Sequence, residues 1–325
     1  MAENLISISG LTKRYGKIVA VDNISLEVGR GEIFGLLGPN GAGKTSTLLM
    51  LTTLIRPSSG TGTVDGHDIA REQDAVRKSI GIVFQDPSSD DILTGYENLK
   101  LHGMLYGMPA GLRDKRIREV LELVDLTKRK DDLVKKYSGG MRRRLEIARG
   151  LMHHPKVLFL DEPTLGLDPQ SREHIWKYVE RLSSEEKMTI VITTHYMEEA
   201  ERLCDRVAII DNGRIAAIGT PSALKKVIGG DVVTLTAASP NVARARKLAF
   251  VKRIVRKGGA LSLTVEDAGR HLPSILRAVG RVDSVEVRSP TLEDVFIHYT
   301  GKKIREESTE EGGVFQRIIH RRARR

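Results

Sequence analysis

A glycine-rich segment near residue 40 carries the clearest chemical signal in the sequence. It follows an apolar stretch, Ile33–Leu37, and precedes an apolar segment of helical character, Thr45–Leu54. This is the arrangement of a P-loop, in which backbone N–H groups and a helix N-terminus surround phosphate oxygens. It predicts that the lysine reaches the β- and γ-phosphates and that the threonine offers its hydroxyl to Mg²⁺. The predicted phosphate-binding residues are Gly38, Pro39, Asn40, Gly41, Ala42, Gly43, Lys44, Thr45 and Ser46.

Two acidic residues follow a second apolar stretch. Val157–Leu160 has the composition of a buried strand, and Asp161 and Glu162 come directly after it. Ligands of open α/β sheets bind at the carboxyl ends of the strands. We therefore expect Asp161 to hold Mg²⁺, directly or through water, and Glu162 to polarise the attacking water as a general base. An acidic pair after a strand is common by itself, and the P-loop is what favours the catalytic interpretation.

The elements that must position these residues alternate between strands and helices. Further buried-strand patterns occur at 80–84, 189–193 and 207–210, and helical patterns occur at 172–182 and 197–204. Strands that are apolar on both faces predict a mainly parallel sheet covered by helices. Before this region, residues 5–37 predict short strands with alternating apolar positions.

Two further regions complete the predicted organisation. Residues 92–152 have helical spacing and are interpreted as a helical subdomain, with Met141, Leu145, Ala148 and Met152 on one face. Near Gly229 the pattern changes to strands at 232–236, 261–265 and 282–287 and a helix at 271–279. We therefore divide the chain into a domain at 1–228, a small α+β appendage at 229–300, and a basic, partly flexible tail at 301–325.

Composition narrows the functional class. No apolar run approaches the roughly 18 to 20 residues that a membrane helix needs, and the first residues lack the pattern of a secretory signal. Cys204 is the only cysteine, which excludes an internal disulfide and fits a reducing cytoplasm. The net charge of +10 suits an anionic partner, whereas an aromatic content of 4% argues against a base-stacking surface.

A third motif and its neighbours carry a family resemblance. Ser138, Gly139 and Gly140 open a helical pattern shortly before the acidic strand. The other members of the set are Tyr15 upstream of the P-loop, Gln85 after the strand at 80–84, Asp168 at the end of Leu165–Asp168, and His195 after the strand at 189–194. In this order, over residues 5–220, the motifs resemble those of ABC nucleotide-binding domains.

The resemblance implies an α/β fold, the P-loop NTPase fold of ABC nucleotide-binding domains, with a mainly parallel sheet, N-terminal antiparallel strands and a helical subdomain. It implies that Ser138 and the amides after it cap the γ-phosphate bound to a second copy, so that a homodimer encloses ATP. By the same resemblance His195 positions the attacking water, Asp168 lines the seam between subunits, and Gln85 senses Mg²⁺ or water. Tyr15 would stack on adenine.

The stretch around Tyr137 and the segment Ser289–Phe296 are similar to the daunorubicin/doxorubicin-resistance type of drug exporter, up to about residue 303. In that branch the ATPase is a separate chain that pairs with a membrane permease and forms a homodimer beneath it. The resemblance therefore implies a peripheral subunit on the cytoplasmic face of the cell membrane, which couples ATP-driven closure to export of a drug-like or lipid-like compound.

Two other classes remain to be weighed. A soluble ABC ATPase acting on nucleic acid or ribosomes would also be basic, but such proteins usually carry coiled-coil insertions or tandem cassettes, and the sequence has one P-loop and no sustained heptads. We therefore expect no nucleic-acid partner. The motif at 138–140 resembles the signature motif of the ABC family. A P-loop kinase or GTPase would not need this signature together with Gln85 and His195.

The signature departs from its commonest form at two positions. Met141 stands where glutamine is usual, and Tyr137 stands where leucine is usual. The Ser-Gly-Gly core is intact, so phosphate capping is expected to persist, whereas Met141 cannot make the glutamine's contacts to the sugar of the opposite nucleotide. The run Arg142–Arg144 is interpreted as a solvated helix face without a catalytic role.

Overall fold

Three β-sheets organise the chain in a computed structural model that describes residues 4–238, 240–257 and 260–301. The strands are β1 (Asn4–Tyr15), β2 (Ile18–Gly29), β3 (Ile33–Leu37), β4 (Ser59–Val64), β5 (His67–Asp68), β6 (Ile80–Val83), β7 (Val157–Asp161), β8 (Thr189–Thr194), β9 (Arg206–Asp211), β10 (Arg214–Gly219), β11 (Asp231–Thr236), β12 (Val251–Lys257), β13 (Ala260–Val265) and β14 (Ser284–Arg288).

Helices cover the sheets and connect their strands. They are α1 (Lys44–Leu51), α2 (Gln73–Ser79), α3 (Gly95–Leu105), α4 (Ala110–Leu123), α5 (Gly139–Leu151), α6 (Pro169–Ser184), α7 (Met197–Leu203), α8 (Pro221–Lys226), α9 (Val242–Arg246), α10 (Ala268–Val279) and α11 (Leu292–Thr300). Single turns of 3₁₀ helix occur at Thr127–Arg129 and Val134–Lys136. Within the described ranges, none of these helices combines the length and the apolar character needed to cross a bilayer.

The first sheet is antiparallel and has the strand order β2-β1-β4-β5. Strands β1 and β2 have 12 residues each, so the short strands predicted for this region are in fact one long hairpin. Alternate residues along β1, such as Ile6 and Ile8, are buried in a core shared with Phe34 and Phe159 of the second sheet. The antiparallel sheet therefore covers one face of the strands that lead to the site.

The second sheet has the order β10-β9-β3-β8-β7-β6. Its strands are parallel except for β10, which confirms the predicted, mainly parallel α/β sheet. Strands β3, β7 and β8 are buried over their whole length. Since β3, β8, β7 and β6 are adjacent and parallel, the loops after their carboxyl ends lie side by side along one edge of the sheet.

The helical region lies between β6 and β7 and contains α3, α4 and α5. The predicted apolar face of α5 is present, because Leu145, Ala148 and Met152 are fully buried and Met141 packs against the same core. The packing around Tyr137 gives a reason for tyrosine at this position, where the signature usually has leucine. Its hydroxyl donates to the carbonyl of Arg129 at 2.8 Å, and a Cβ on Gly95 would lie 2.3 Å from the hydroxyl oxygen.

The third sheet is antiparallel with the order β12-β13-β11-β14, and it has a core of its own. Helices α9 and α10 pack on it. Helix α11 does not join that core, although its residues belong to the predicted range 229–300. Leu292, Val295 and Phe296 are instead buried with the residues around the parallel sheet, and α11 contacts α7, α8 and β10. The predicted tail after Gly301 lies outside the described residues.

Candidate functional site

The glycine-rich loop connects β3 to α1 at the centre of the parallel sheet. Backbone runs close to this loop at two of its glycines. A Cβ on Gly38 would lie 2.2 Å from the carbonyl oxygen of Ile210, and one on Gly43 would lie 2.4 Å from that of Ala20. Gly43 also has a φ of 105°, a left-handed conformation at the residue before α1. The loop therefore needs glycine at these positions, and it presents the N-terminus of α1 to an anion.

Lys44 places its ammonium group inside the loop. Its side chain is 5% exposed, and Nζ donates to the carbonyl oxygens of Gly38 at 2.7 Å and Pro39 at 3.2 Å. The same nitrogen lies 3.1 Å from Oε1 of Glu162. The loop and the acid that follows β7 are therefore brought together by one buried cation.

Thr45 and Asp161 form the part of the site that suits a divalent cation. The hydroxyl of Thr45 donates to Oδ1 of Asp161 at 3.2 Å, and Thr193 donates to the same oxygen at 2.5 Å. Burial raises the pKa of Asp161, and the hydrogen bond from Thr193 opposes that rise. Hydroxyl and carboxylate oxygens are the ligands that Mg²⁺ prefers, so the donor set fits this ion.

Glu162 lies between the loop and the end of β8. Its Oε2 is 2.7 Å from Nδ1 of His195, and its carboxylate is 6% exposed. Burial by itself raises the pKa of Glu162, but the hydrogen bond from His195 and the charge of Lys44 outweigh burial, so the pKa is lowered. The carboxylate is therefore held in its ionised form, which can accept a proton from water.

The signature residues lie at the start of α5. The hydroxyl of Ser138 accepts the backbone N–H of Met141 at 3.3 Å, and Ser138 and Gly139 are exposed. Gly140 is buried, and a Cβ there would lie 2.7 Å from Oγ of Ser171. The third residue of the motif thus serves the packing of α5 on α6, while the first two face solvent.

Gln85, Asp168 and Tyr15 are the remaining predicted residues. Gln85 is exposed two residues beyond β6, and Asp168 is exposed at the N-cap of α6, where Oδ1 accepts the N–H of Ser171 at 2.9 Å. Tyr15 is half-buried at the end of β1. Burial raises the pKa of Tyr15, and a hydrogen bond with Ser46 opposes the rise, so its hydroxyl lies at the start of α1. In the described part of the chain, no hydrogen bond or ion pair joins Gln85, Ser138 or Asp168 directly to Lys44 or Glu162.

Arg143 corrects the prediction of a solvated arginine face. It is 6% exposed, and its guanidinium donates to the carbonyls of Asp161 at 2.8 Å, Pro163 at 2.7 Å and Phe84. Burial lowers its pKa to about 10. Arg143 lies three residues after Gly140, at a helical spacing that puts both on the buried face of α5, but neither residue type marks that face as buried in the sequence. Arg142 and Arg144 are partly exposed.

Thr193 was also missed. Thr193 is fully buried in β8, and in the sequence it is one residue of an apolar strand pattern. In the structure its hydroxyl contacts both acids, since it donates to Asp161 and accepts the backbone N–H of Glu162 at 3.0 Å. Nothing in the strand pattern distinguishes this threonine from its neighbours.

Two protein-family models match the chain. Residues 21–165 match the model described as ABC transporter, and residues 219–300 match the model described as ATP-binding protein DrrA1-3-like, C-terminal domain. The chain is also 40% identical over 314 residues to the linearmycin resistance ATP-binding protein LnrL of Bacillus subtilis (strain 168), covering 93% of this chain and 100% of the relative. It is 42% identical over 308 residues to the daunorubicin resistance ATP-binding protein DrrA3 of Streptomyces coeruleorubidus, covering 93% and 97%.

Similar solved structures also include ABC transporter proteins and ATP-binding cassettes. The structure of cbiO1 from Clostridium perfringens, part of the ABC transporter complex cbiONQ, is 31% identical with a TM-score of 0.64, covering 70% of this chain and 93% of that one. A dimeric post-hydrolysis state of the ATP-binding cassette MJ0796 bound to ADP and Pi is 28% identical with a TM-score of 0.60, covering 66% and 98%. None of these matches favours the alternative of a soluble ABC ATPase that acts on nucleic acid or ribosomes. The chain belongs to the ABC transporter ATP-binding proteins, as an ATPase subunit with a DrrA-like C-terminal domain.

Proposed function

We propose that this chain is a peripheral subunit on the cytoplasmic face of the cell membrane, where two copies close around ATP beneath a separate permease. The transported compound is drug-like or lipid-like, and it is moved outward. Relatives named for linearmycin resistance, daunorubicin resistance and Nod factor export support this class of compound. The third of these is a Nod factor export ATP-binding protein I of Ralstonia nicotianae (strain ATCC BAA-1114 / GMI1000). It is 41% identical over 308 residues, covering 93% of this chain and 95% of that relative.

The observation that carries the proposal is the contact of Glu162 with Lys44 at 3.1 Å and with His195 at 2.7 Å, beside the pair formed by Thr45 and Asp161. Lys44 binds the β- and γ-phosphates, and Glu162 takes a proton from the attacking water. That water forms a bond to the γ-phosphorus, the bond from this phosphorus to the bridging oxygen breaks, and ADP leaves. Thr45, Asp161 and Gln85 would hold Mg²⁺, which would neutralise phosphate charge. His195 orients Glu162 and contacts the γ-phosphate.

The second copy contributes the signature. Ser138 and Gly139 are exposed at the N-terminus of α5, a helix of 13 residues, and exposed backbone N–H groups at such an end favour an anion. We assign them, with Gly140 behind them, to the γ-phosphate bound by the partner copy. Asp168 lies on the exposed start of α6 and lines the seam, and Tyr15 stacks on adenine. The dimeric form of MJ0796 supports this assembly.

Helix α3 carries a candidate docking surface for the permease. Leu101, Met104 and Leu105 are 46%, 54% and 76% exposed at a spacing that places them on one face, and Ile92, shortly before the helix, is 74% exposed. A cluster of exposed apolar side chains of this kind is typical of a protein-binding surface. It follows Gln85 closely in the chain, so a partner bound there contacts the segment that leads to the nucleotide.

The test is Glu162→Gln, which keeps the side-chain shape and removes the base. We expect ATP turnover to fall by about 10² to 10⁴, while ATP binding persists and the variant elutes as a dimer when ATP is present. The matched control is Glu185→Gln, since Glu185 is an exposed partner of Arg181 at the C-terminal end of α6, and its turnover should equal that of the unchanged protein. A Glu162→Gln protein that binds ATP and stays monomeric would refute the proposed dimer.

A further inference from the structure

Thr193, at the end of β8, makes two contacts that the proposed mechanism does not use. Its hydroxyl hydrogen goes to Oδ1 of Asp161 at 2.5 Å, and its oxygen accepts the backbone N–H of Glu162 at 3.0 Å. A hydroxyl has one donor and two acceptor lone pairs, so both bonds can form at the same time. One side chain on β8 is therefore bonded both to Asp161, the last residue of β7, and to Glu162, which follows that strand.

Strand register explains why this residue can do so. In the parallel pairing of β7 and β8, Thr193 is the partner of Asp161, and on its other side it is the partner of Leu36 in β3. The strand that carries Thr193 thus lies between the P-loop strand and the acid-bearing strand. Thr193 is fully buried, so no water competes for its hydroxyl, and its branched side chain has little rotational freedom.

The two bonds act on different features of the acids. At Asp161 the bond fixes one carboxylate oxygen, which Thr45 also contacts at 3.2 Å. At Glu162 it holds a backbone in the left-handed region, with φ of 47°, which is an uncommon conformation for a residue other than glycine. The carbonyl of Thr193 accepts the same N–H at 3.1 Å, so Glu162 is held there by two acceptors.

We propose that Thr193 is a positioning residue, whose hydroxyl fixes the Asp161 carboxylate for Mg²⁺ and the Glu162 backbone for the attacking water. The inference rests on the proposed magnesium site of Thr45 and Asp161. Thr193 touches neither nucleotide nor metal in this role, and it acts only through the two acids. Groups that orient a metal ligand in this way typically contribute 10- to 100-fold to metal affinity or activity.

Threonine at 193 can be tested by substitutions of nearly equal size. Thr193→Val keeps the branched shape and removes the hydroxyl, whereas Thr193→Ser keeps the hydroxyl. The same strand supplies a matched control in Thr189, which is also fully buried and whose hydroxyl accepts the N–H of Gly31 at 2.7 Å, at the end of β8 away from the site. Thr189→Val measures what the loss of a buried hydroxyl in β8 does by itself.

The measurement is the affinity for ATP by calorimetry, on the full-length protein, with excess Mg²⁺ and with EDTA. The ratio of the two affinities is the gain from the metal. We expect Thr193→Val to reduce this gain by about 10- to 100-fold, with the affinity for metal-free ATP unchanged. Thr193→Ser and Thr189→Val should both keep the gain of the unchanged protein. Melting temperatures of the variants show whether each is folded, and if Thr193→Val does not fold, Thr193→Ala is measured in its place.

Each outcome decides the inference. A Thr193→Val protein with the full gain from Mg²⁺ overturns it, and so does a Thr189→Val protein that loses the gain to the same extent. If the unchanged protein itself gains nothing from Mg²⁺, the proposed metal site fails, and this result is distinct from a failure of Thr193 alone.

Discussion

Phe296 tests whether the end of the described chain is part of the ATPase core. Its side chain is 1% exposed and lies with Leu292 and Val295 among the residues around the parallel sheet. Replacing a buried phenylalanine by alanine removes its transfer free energy and leaves a cavity, which together cost about 3–5 kcal/mol. A domain has only about 5–15 kcal/mol of total stability. Phe296→Ala should therefore strongly destabilise the nucleotide-binding domain, although it lies far from the motifs in sequence.

Trp176 is a built-in reporter for this experiment. It is the only tryptophan of the chain, it is 5% exposed in α6, and with Thr291 and Glu293 it lines a cavity of about 450 Å³ beside the start of α11. Its fluorescence during urea unfolding follows the core against which α11 packs. With an m-value of about 3 kcal/mol/M, a loss of about 3–5 kcal/mol lowers the midpoint by about 1 to 1.7 M.

The matched control is Tyr299→Ala in the same helix. Tyr299 is 40% exposed, so its removal should change stability by no more than about 0.5 kcal/mol. If Phe296→Ala shifts the midpoint of the Trp176 signal no further than Tyr299→Ala does, then α11 is not part of the core that surrounds the parallel sheet. The argument from its burial would then be wrong.

Two further substitutions test other parts of the structure. Leu105→Glu on the exposed face of α3 should abolish co-purification with a membrane partner from detergent extracts and leave basal ATPase activity unchanged. The control is Val285→Glu, a similar change at an exposed valine of β14, which should leave co-purification intact. If both variants recover the same amount of the membrane partner, α3 is not the docking surface. Arg143→Met removes the guanidinium that donates hydrogen bonds to three backbone carbonyls. Urea unfolding should therefore show that the free energy of unfolding falls by about 3 kcal/mol. A decrease below about 0.5 kcal/mol would contradict the structural role of Arg143.

The candidate catalytic motifs could be located in the sequence because each is defined by residues that are close together along the chain. Lys44 and Thr45 belong to one short loop, and Glu162 directly follows an apolar strand. The parallel sheet was predictable for a similar reason, since strands such as β3 and β8 are apolar throughout. Predictions of this kind depend on neighbours along the chain, and such neighbours are visible in the sequence.

Two other predictions, for the first strands and for Arg143, differ from the structure because the sequence pattern does not contain the information that they needed. The sequence indicated short strands in place of the long hairpin of β1 and β2, because register shifts such as the one between Ile8 and Leu11 interrupt the apolar alternation without ending the pairing. Arg143 was assigned to a solvated face, because a run of three arginines gives no sign that the middle one has three carbonyl acceptors at the ends of distant strands. A buried cation is acceptable only with such partners, and they are visible only in the folded chain.

The sequence by itself determined which residues are candidates for the chemistry and the order in which they occur, because a phosphate loop and a strand-end acid are defined by residue type and short spacing. Only the tertiary structure decided which residues hold them in place. Thr193 bonds to Asp161 across 32 positions of sequence, and α11 returns to the core of the ATPase after a separate sheet. Contacts of this kind are set by strand register and by the packing of distant apolar faces, and neither is expressed in a local pattern.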